Sequence, residues 1–222
     1  MNLILGFISI FVTFSLVVLI EKLFKKEGLF VWVSISTIIA NILVCKSVDI
    51  LGFTTSLGNV LFASNFLATD IMSEKYDMNS SKKAIILGVF SQTIFILMMT
   101  LGLKYVPSSV DLTHESMVTL FSINIRVSIC SIFMFFVSNM CDIYLFNKLK
   151  QKFPDKLWLR NNVSTIVSNC LENYIFSLMA FIRNIWFKNN FFYCNSSICF
   201  RINYCNIWYT LHIYFKKIKL DK

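Results

Sequence analysis

Two nine-residue stretches of this sequence place polar residues in the same pattern within apolar surroundings. SNMCDIYLF runs from Ser138 to Phe146 and SNCLENYIF from Ser168 to Phe176, and each has an acid three residues after an asparagine. Residues three apart share one face of a helix, so the amide and the carboxylate are neighbours. An amide both donates and accepts hydrogen bonds, whereas an ionised carboxylate only accepts them. Such a pair of side chains suits a flat ligand that carries amide and amino groups.

The two pairs are Asn139 with Asp142 and Asn169 with Glu172, and they lie on consecutive predicted helices. The simpler interpretation is that an amide and an acid on adjacent helices bridge those helices. The alternative is a ligand or coupling site, because matched polar motifs on antiparallel helices are typical of the sites of secondary transporters. We favour the ligand site, since the same pattern occurs on both helices.

A second group of polar residues ends the third apolar run, in ASNFLATDIMSEKYD. Asp70 and Glu74 are four apart and share one face, where like charges repel unless a cation or a proton lies between them. Glu74 is also consistent with an ordinary solvated residue at a helix end. Asn41 is a further amide in the second apolar run, a position where amides more often stabilise helix packing.

The elements that carry these residues are apolar runs of membrane-spanning length. Hydrophobic residues make up 56% of the chain and charged residues only 15%. Runs 1–20, 28–45, 50–69 and 84–103 contain no charge, and runs 117–141 and 162–182 are interrupted only by Arg126 and Glu172. About 20 residues of helix cross the hydrocarbon layer, and lipid forces such runs to be helical. We predict an all-α, polytopic transmembrane helix bundle of six spans plus a seventh segment interrupted by polar residues.

The net charge of +9 is concentrated in three connecting loops, around residues 22–26, 75–83 and 148–160. Basic loops stay in the cytoplasm, so the first, third and fifth loops are predicted to face inward and the N-terminus outward. This distribution argues against a nucleic-acid partner. The first run lacks a basic start and a small-residue cleavage site, so we expect an uncleaved span rather than a signal peptide.

The sequence offers no catalytic or metal-binding motif. Its seven cysteines are irregularly spaced and only two histidines occur, so neither a metal site nor a disulfide framework is expected. HExxH, Gly-x-Ser-x-Gly and phosphate-binding glycine loops are also missing from the sequence. We predict a protein that is not an enzyme and needs no cofactor; a membrane enzyme using paired acids is the weaker alternative.

Three ordered blocks of the sequence resemble a known family. ANILVCKSVDILGFTTSLGNVLFASNFLATDIMSEKYD, INIRVSICSIFMFFVSNMCDIYLFNKLKQKF and RNNVSTIVSNCLENYIF are together similar to the bacterial queuosine precursor transporters, also called the vitamin uptake transporter family. The resemblance, from about Asn41 to Phe181, implies an inner-membrane importer of 7-deazaguanine bases that are salvaged into tRNA queuosine. The matched positions, expected to bind substrate, are Asn41, Asp70, Glu74, Arg126, Asn139, Asp142, Arg160, Ser164, Asn169 and Glu172.

Three positions depart from the family pattern. Val163 replaces a usual Gly, Asn169 a usual Gln and Glu172 a usual Asp. The last two replacements keep the amide and the carboxylate but change the side-chain length by one methylene. The sequence therefore does not specify the precise ligand. We expect Arg126, Asp142 and Glu172 to form a charge-compensated interior, with Asn139 and Asn169 contacting the base.

Asp70 and Glu74 are expected to act as an inner gate or a proton-coupling site. The expected partners are a small 7-deazaguanine base and the lipid bilayer, without an ATPase. The alternative function is a substrate-binding membrane subunit of an ATPase-driven vitamin importer, which would need an exposed small-residue helix face for docking.

The chain changes character after Phe181. We predict a transporter domain over residues 1–182 and a separate segment over residues 183–222, where Arg201 and several asparagines interrupt the last apolar stretch. Arginine at the centre of a lipid-embedded helix is unfavourable by at least about 2.5 kcal/mol. One interpretation is a last helix with a polar inner face. We favour a shift of reading frame, which the gene's DNA sequence would test.

Overall fold

The computed structural model describes residues 2–50, 53–121 and 125–181 of the 222-residue chain, and these are mostly helical. The helices are α1 (Asn2–Leu43), α2 (Gly58–Lys75), α3 (Met78–Gly102), α4 (His114–Phe121), α5 (Ile125–Lys152) and α6 (Leu157–Phe181). Two short strands, β1 (Ser47–Ile50) and β2 (Phe53–Ser56), pair in antiparallel register. The predicted helical class is confirmed, and the strand pair is an addition that the apolar pattern did not predict.

Helix α1 turns back on itself at Lys25, which has non-helical backbone angles. A Cβ built on Gly28 would lie 2.6 Å from the Ile20 Cγ2 atom. In an unbroken helix those two residues would be about 12 Å apart along the axis. Residues 2–24 and 26–43 therefore form a helical hairpin. The Asn2 side chain donates a hydrogen bond to the Asp49 carbonyl oxygen, 3.0 Å away, at the end of the hairpin opposite the turn.

The turn at Lys25 stores backbone strain that glycine would relieve. Its φ of 52° and ψ of −130° lie in a region that L-residues rarely adopt, at a cost of about 1–3 kcal/mol. We expect Lys25→Gly to raise the free energy of unfolding by about 1 kcal/mol, after the added flexibility of the unfolded chain is counted. Thermal unfolding in detergent measures this effect. Lys22→Gly, in the preceding helical turn, is the control and should lower stability; a lower melting temperature for Lys25→Gly would contradict the strain.

Three helices in the described part of the chain are long and apolar enough to cross a membrane: Asn2–Leu43, Met78–Gly102 and Ser131–Lys152. The first of these contains two of the predicted spans, separated by the turn at Lys25. Helix α2 is buried on nearly every face by the surrounding helices. It is therefore a central helix of the bundle, packed against α1, α3 and α5. The count of six spans is not confirmed by length and composition, and it stays a prediction.

Two predicted span boundaries were wrong. The third span was predicted to begin at Ile50, but Ile50 ends strand β1, residues 53–56 form strand β2 and α2 begins at Gly58. A Cβ on Gly58 would lie 2.7 Å from the Ala40 carbonyl oxygen, so this glycine lets α2 start directly against α1. The fifth span was predicted to end at Cys141, but α5 continues to Lys152. An apolar run marks contact with lipid, and a helix can continue into water beyond it.

The basic loops meet at one end of the bundle, which we call the basic end. The Lys75 ammonium lies 2.8 Å from the Glu21 carboxylate, and the Lys150 ammonium lies 3.1 Å from Glu74. These contacts join the turn in α1, the α2–α3 connection and the end of α5. The strand pair lies at the opposite end, next to the N-terminus.

Helix α3 also starts at the basic end, with Asp77 as its N-terminal cap. The Asp77 carboxylate accepts a hydrogen bond from the Ser80 backbone N–H and lies 4.0 Å from the Lys26 ammonium. Hydrogen bonds from Ser80 hold the pKa of the Asp77 carboxyl below its usual value, with a smaller contribution from Lys26. The cap fixes the beginning of α3 beside the turn of α1.

A polar seam joins α1 to α2 inside the bundle. The Ser36 hydroxyl donates to the Asn65 side-chain oxygen at 2.6 Å, and the Asn65 amide nitrogen donates to the Thr37 hydroxyl at 3.3 Å. The Trp32 indole N–H also donates to Ser64, at 3.1 Å. The oxygen and the nitrogen of the Asn65 amide thus both bond to α1, so Asn65 stabilises the packing of α1 against α2.

Candidate functional site

The two repeated motifs meet where α5 and α6 pack against each other. Antiparallel packing brings the Ser168 hydroxyl to 3.5 Å from a carboxylate oxygen of Asp142. Asn139, Asp142 and Asn169 are all at most 2% exposed. The structure therefore brings together the polar residues that the repeated pattern singled out, in the interior of the bundle.

Helix α2 adds a second buried acid to this group. Asp70 is only 6% exposed, and its carboxyl group interacts electrostatically with that of Asp142 across the contact between α2 and α5. Three hydroxyl groups of α6, those of Ser164, Thr165 and Ser168, face Asp142 from the other side. Two carboxyl groups from different helices thus lie next to each other, with three neutral hydroxyl groups on the α6 side.

Several buried polar atoms in this group have no hydrogen-bond partner among the described residues. They are both carboxylate oxygens of Asp70, Oδ2 of Asp142, Oδ1 of Asn139 and the hydroxyl of Thr165. The Asn139 amide nitrogen, by contrast, donates to the Phe135 carbonyl oxygen at 2.8 Å. Buried polar atoms are normally hydrogen-bonded, and an unpaired one costs about 1–3 kcal/mol. Because most of the unpaired atoms are acceptors, this group of side chains suits a ligand that carries several hydrogen-bond donors.

Glu74 lies one helical turn from Asp70, towards the basic end, and has different partners. Its carboxylate lies 3.2 Å from the Arg160 guanidinium of α6 and 3.1 Å from the Lys150 ammonium of α5. Arg160 is 2% exposed and its guanidinium lies over the Phe146 ring, 5.3 Å from the centroid. These side chains tie α2, α5 and α6 together at the basic end.

Asp70 and Glu74 share one helix face, where their negative charges repel each other unless a cation or a proton lies between them. Arg160 supplies the cation. It pairs with Glu74 directly and interacts electrostatically with Asp70. The expected compensation of Asp142 by Arg126 stays a prediction that position does not support, because 16 residues of continuous helix separate the two by about 24 Å along α5. The side chain of Arg126 itself lies outside the described part.

Two other predicted site residues are Asn41 and Glu172, whose positions differ from those of the buried residues described above. Asn41 lies near the opposite end of the bundle and donates to the Thr37 carbonyl oxygen of its own helix, at 3.1 Å, away from the two acids. Its inclusion in the substrate-binding group is therefore not supported by position. Glu172 lies one turn beyond Ser168 on α6, is partly exposed and has an interaction partner of its own.

Sequence reasoning missed Thr165, Ser168 and Lys150 as members of this region. Thr165 and Ser168 were detectable as small hydroxyl residues near Ser164 on one helix, each within a turn of it. Lys150 gave no local signal, because it is one of several lysines at the end of α5. Its role depends on the packing of α5 against α2.

Comparisons with known proteins agree on one family. Residues 56–214 match the family model described as "Putative vitamin uptake transporter". The chain is 37% identical over 171 residues to the Bacillus subtilis (strain 168) protein named "Probable queuosine precursor transporter", which covers 76% of this chain and 75% of that protein. It is 28% identical over 145 residues to the "Queuosine precursor transporter" of Escherichia coli (strain K12), covering 65% and 63% of the two chains. No solved structure matches this chain.

Proposed function

Because this chain belongs to the vitamin uptake transporter family, we propose that it imports queuosine precursors, the 7-deazaguanine bases, across the cell membrane. The names of the two relatives support this substrate class. The structural observation that carries the proposal is the buried group of unpaired acceptors on Asp70, Asn139 and Asp142. Unpaired polar groups in the interior of a membrane protein are unfavourable in free energy. A polar substrate that formed hydrogen bonds to them would remove this cost.

The chemistry of a deazaguanine suits this site. Its ring N–H and exocyclic amine are donors along one edge, next to a carbonyl oxygen that accepts. Carboxylate and amide oxygens match the donors, and a hydroxyl such as that of Thr165 matches the carbonyl. A base that lacked these donors would leave buried acceptors unpaired, which is a strong basis for rejection. Asn139 and Asn169, both buried on the facing motifs, are the side chains we propose contact the base edge.

The basic end provides a gate for such a site. Glu74, Lys150 and Arg160 connect three helices between Asp70 and the basic loops. Opening the site towards that end would separate these charges, so we propose that they form the inner gate. Basic loops are typical of the cytoplasmic side, which supports our proposal that the N-terminus faces outward. We propose the inner membrane as the location.

Two further predictions concern an ATPase-driven importer and the division of the chain into two segments. The comparisons do not favour a substrate-binding subunit of an ATPase-driven importer, since both relatives are named as transporters. The division of the chain at residue 182 stays a prediction, because residues 182–222 lie outside the described part.

Uptake of a radiolabelled 7-deazaguanine base by cells unable to make queuosine precursors tests the proposal. Expression of this protein should restore accumulation, and Glu172→Ala should reduce the initial rate about tenfold, the typical effect of losing one charge-assisted hydrogen bond. Glu115→Ala removes an exposed acid of α4 and should leave the rate unchanged.

Other outcomes would contradict the proposal. Accumulation of a different vitamin without any 7-deazaguanine uptake would favour the ATPase-dependent alternative. Chemical conversion of the base without accumulation would indicate an enzyme.

A further inference from the structure

The carboxyl groups of Asp70 on α2 and Asp142 on α5 lie within hydrogen-bonding distance of each other. An ionised carboxylate only accepts hydrogen bonds, so two ionised groups cannot bond to each other. A hydrogen bond between them forms only when one of the two carries a proton. Two negative charges at this range also repel each other, as in other carboxyl pairs that share one proton. The contact between these side chains therefore indicates one bound proton.

Burial makes two ionised groups still less favourable at this place. Asp70 is 6% exposed and Asp142 is fully buried, and both oxygens of Asp70 and one of Asp142 have no hydrogen-bond partner among the described residues. Buried charges without such partners are very unfavourable. A shared proton removes one of the two charges and gives one oxygen of each acid a partner. The second oxygen of Asp70 stays available to accept a hydrogen bond from the substrate.

The charged side chains around the pair balance when one proton is bound. Three acids and two bases face each other where α2, α5 and α6 meet, and they are Asp70, Glu74, Asp142, Lys150 and Arg160. Both bases contact Glu74, at 3.1 Å and 3.2 Å, so the unbalanced negative charge falls on the two aspartates. The Cys141 thiol also lies beside Asp142. Helices α1 and α3 face α2 with neutral hydroxyl groups, those of Ser36, Thr37 and Ser81.

We propose that Asp70 and Asp142 together bind one proton that is carried inward with each imported base, so that a proton gradient drives the import. This inference rests on the proposed function, because it assigns the driving force of the same transport. One proton binds from the outside with the base, and one is released at the basic end. Opening of the inner gate separates Arg160 from Glu74, and the guanidinium then compensates an ionised Asp70, which favours release of the proton there.

A sodium ion, the other common coupling ion of secondary transporters, fits the pair less well than a proton. The two carboxyl groups are close enough to share a hydrogen bond, so a metal ion has no space between them. The described part of the chain also holds no group of three or more His, Cys, Asp or Glu side chains that could bind a metal ion. A proton needs no cavity, and it is the one cation that the contact itself accommodates.

Accumulation of radiolabelled 7-deazaguanine, which is uncharged at neutral pH, in proteoliposomes tests the inference. Valinomycin and equal potassium on both sides hold the membrane potential at zero, so that only a pH gradient remains. With the outside one pH unit more acidic than the inside, we expect accumulation of up to about tenfold, the limit for one proton per base. Without a gradient the base should only equilibrate, and a sodium gradient of the same size should give no accumulation.

Asp142→Asn removes one acid of the pair and should bring the ratio of uptake with and without the pH gradient close to one, whatever uptake remains. Asp155→Asn removes an exposed carboxylate from the α5–α6 connection and should keep the wild-type ratio. Infrared spectroscopy of the purified protein gives a readout that does not depend on transport. The carbonyl band of a protonated carboxyl group should be present at neutral pH in the wild-type protein and in Asp155→Asn, and lost in Asp142→Asn and in Asp70→Asn.

Three results would overturn the inference and leave the proposed function standing. They are equilibration of the base without accumulation under the pH gradient, accumulation driven by the sodium gradient instead, and the absence of the protonated carboxyl band from the wild-type protein. An unchanged gradient ratio in Asp142→Asn would also overturn it. Failure of the base to enter the proteoliposomes at all would instead overturn the proposed function.

Discussion

Replacing Asp142 by leucine is expected to reduce uptake of the 7-deazaguanine base at least about a hundredfold, while the protein melts at the same temperature or higher. Asp142 is fully buried, with one carboxylate oxygen that has no partner among the described residues. Removing a buried charge that is poorly compensated is often neutral or stabilising, by up to several kcal/mol. Loss of the charge-assisted contacts to the substrate accounts for the loss of rate.

The two measurements are the initial uptake rate per molecule and the thermal unfolding of the purified protein in detergent. Asn65→Leu is the matched control, because Asn65 is equally buried but has both ends of its amide bonded across α1 and α2. We expect Asn65→Leu to lower the melting temperature and to leave the uptake per folded molecule near the wild-type value. If Asp142→Leu destabilised the protein and left uptake normal, Asp142 would be a helix-bridging residue, as the simpler interpretation of the sequence holds.

Arg160→Ala should have the largest effect on stability, a loss of about 3–5 kcal/mol, together with loss of uptake. The substitution removes a buried guanidinium that pairs with Glu74 and compensates Asp70. Removing the guanidinium is costly because it leaves the buried Asp70 without its compensating cation and Glu74 with Lys150 alone. Arg160→Lys retains the charge without the planar fork that contacts Glu74 and Phe146, so an intermediate loss is expected.

Thermal unfolding of the single and double variants separates the charge effect from packing. Combining Arg160→Met with Glu74→Leu should recover part of the stability lost by Arg160→Met alone, because the double variant removes both partners of the ion pair and not only one. Lys75→Ala is the control at the same end, since Lys75 is 44% exposed and its pair with Glu21 should contribute less than about 1 kcal/mol. Wild-type stability of Arg160→Ala would contradict a structural role for the ion pairs that Glu74 makes with Arg160 and Lys150.

The sequence by itself determined the helical class and the positions of the buried polar residues. Apolar runs of about 20 residues must form helices in lipid, whatever the tertiary arrangement, because no other structure satisfies their backbone. Polar residues in such runs are unfavourable on a lipid-facing surface, so Asp70, Asn139 and Asp142 were predictable as interior residues. Their burial in the structure follows from the same rule.

Only the tertiary structure decided which charges pair. Glu74 and Arg160 are 86 residues apart, and their contact depends on the rotation and register of two helices, which local patterns do not encode. The same reason explains why Arg160 lies near Asp70, and why the Asn41 amide donates to a carbonyl of its own helix. A sequence pattern specifies the face and the burial of a side chain, whereas the packing of separate helices against each other specifies its partners.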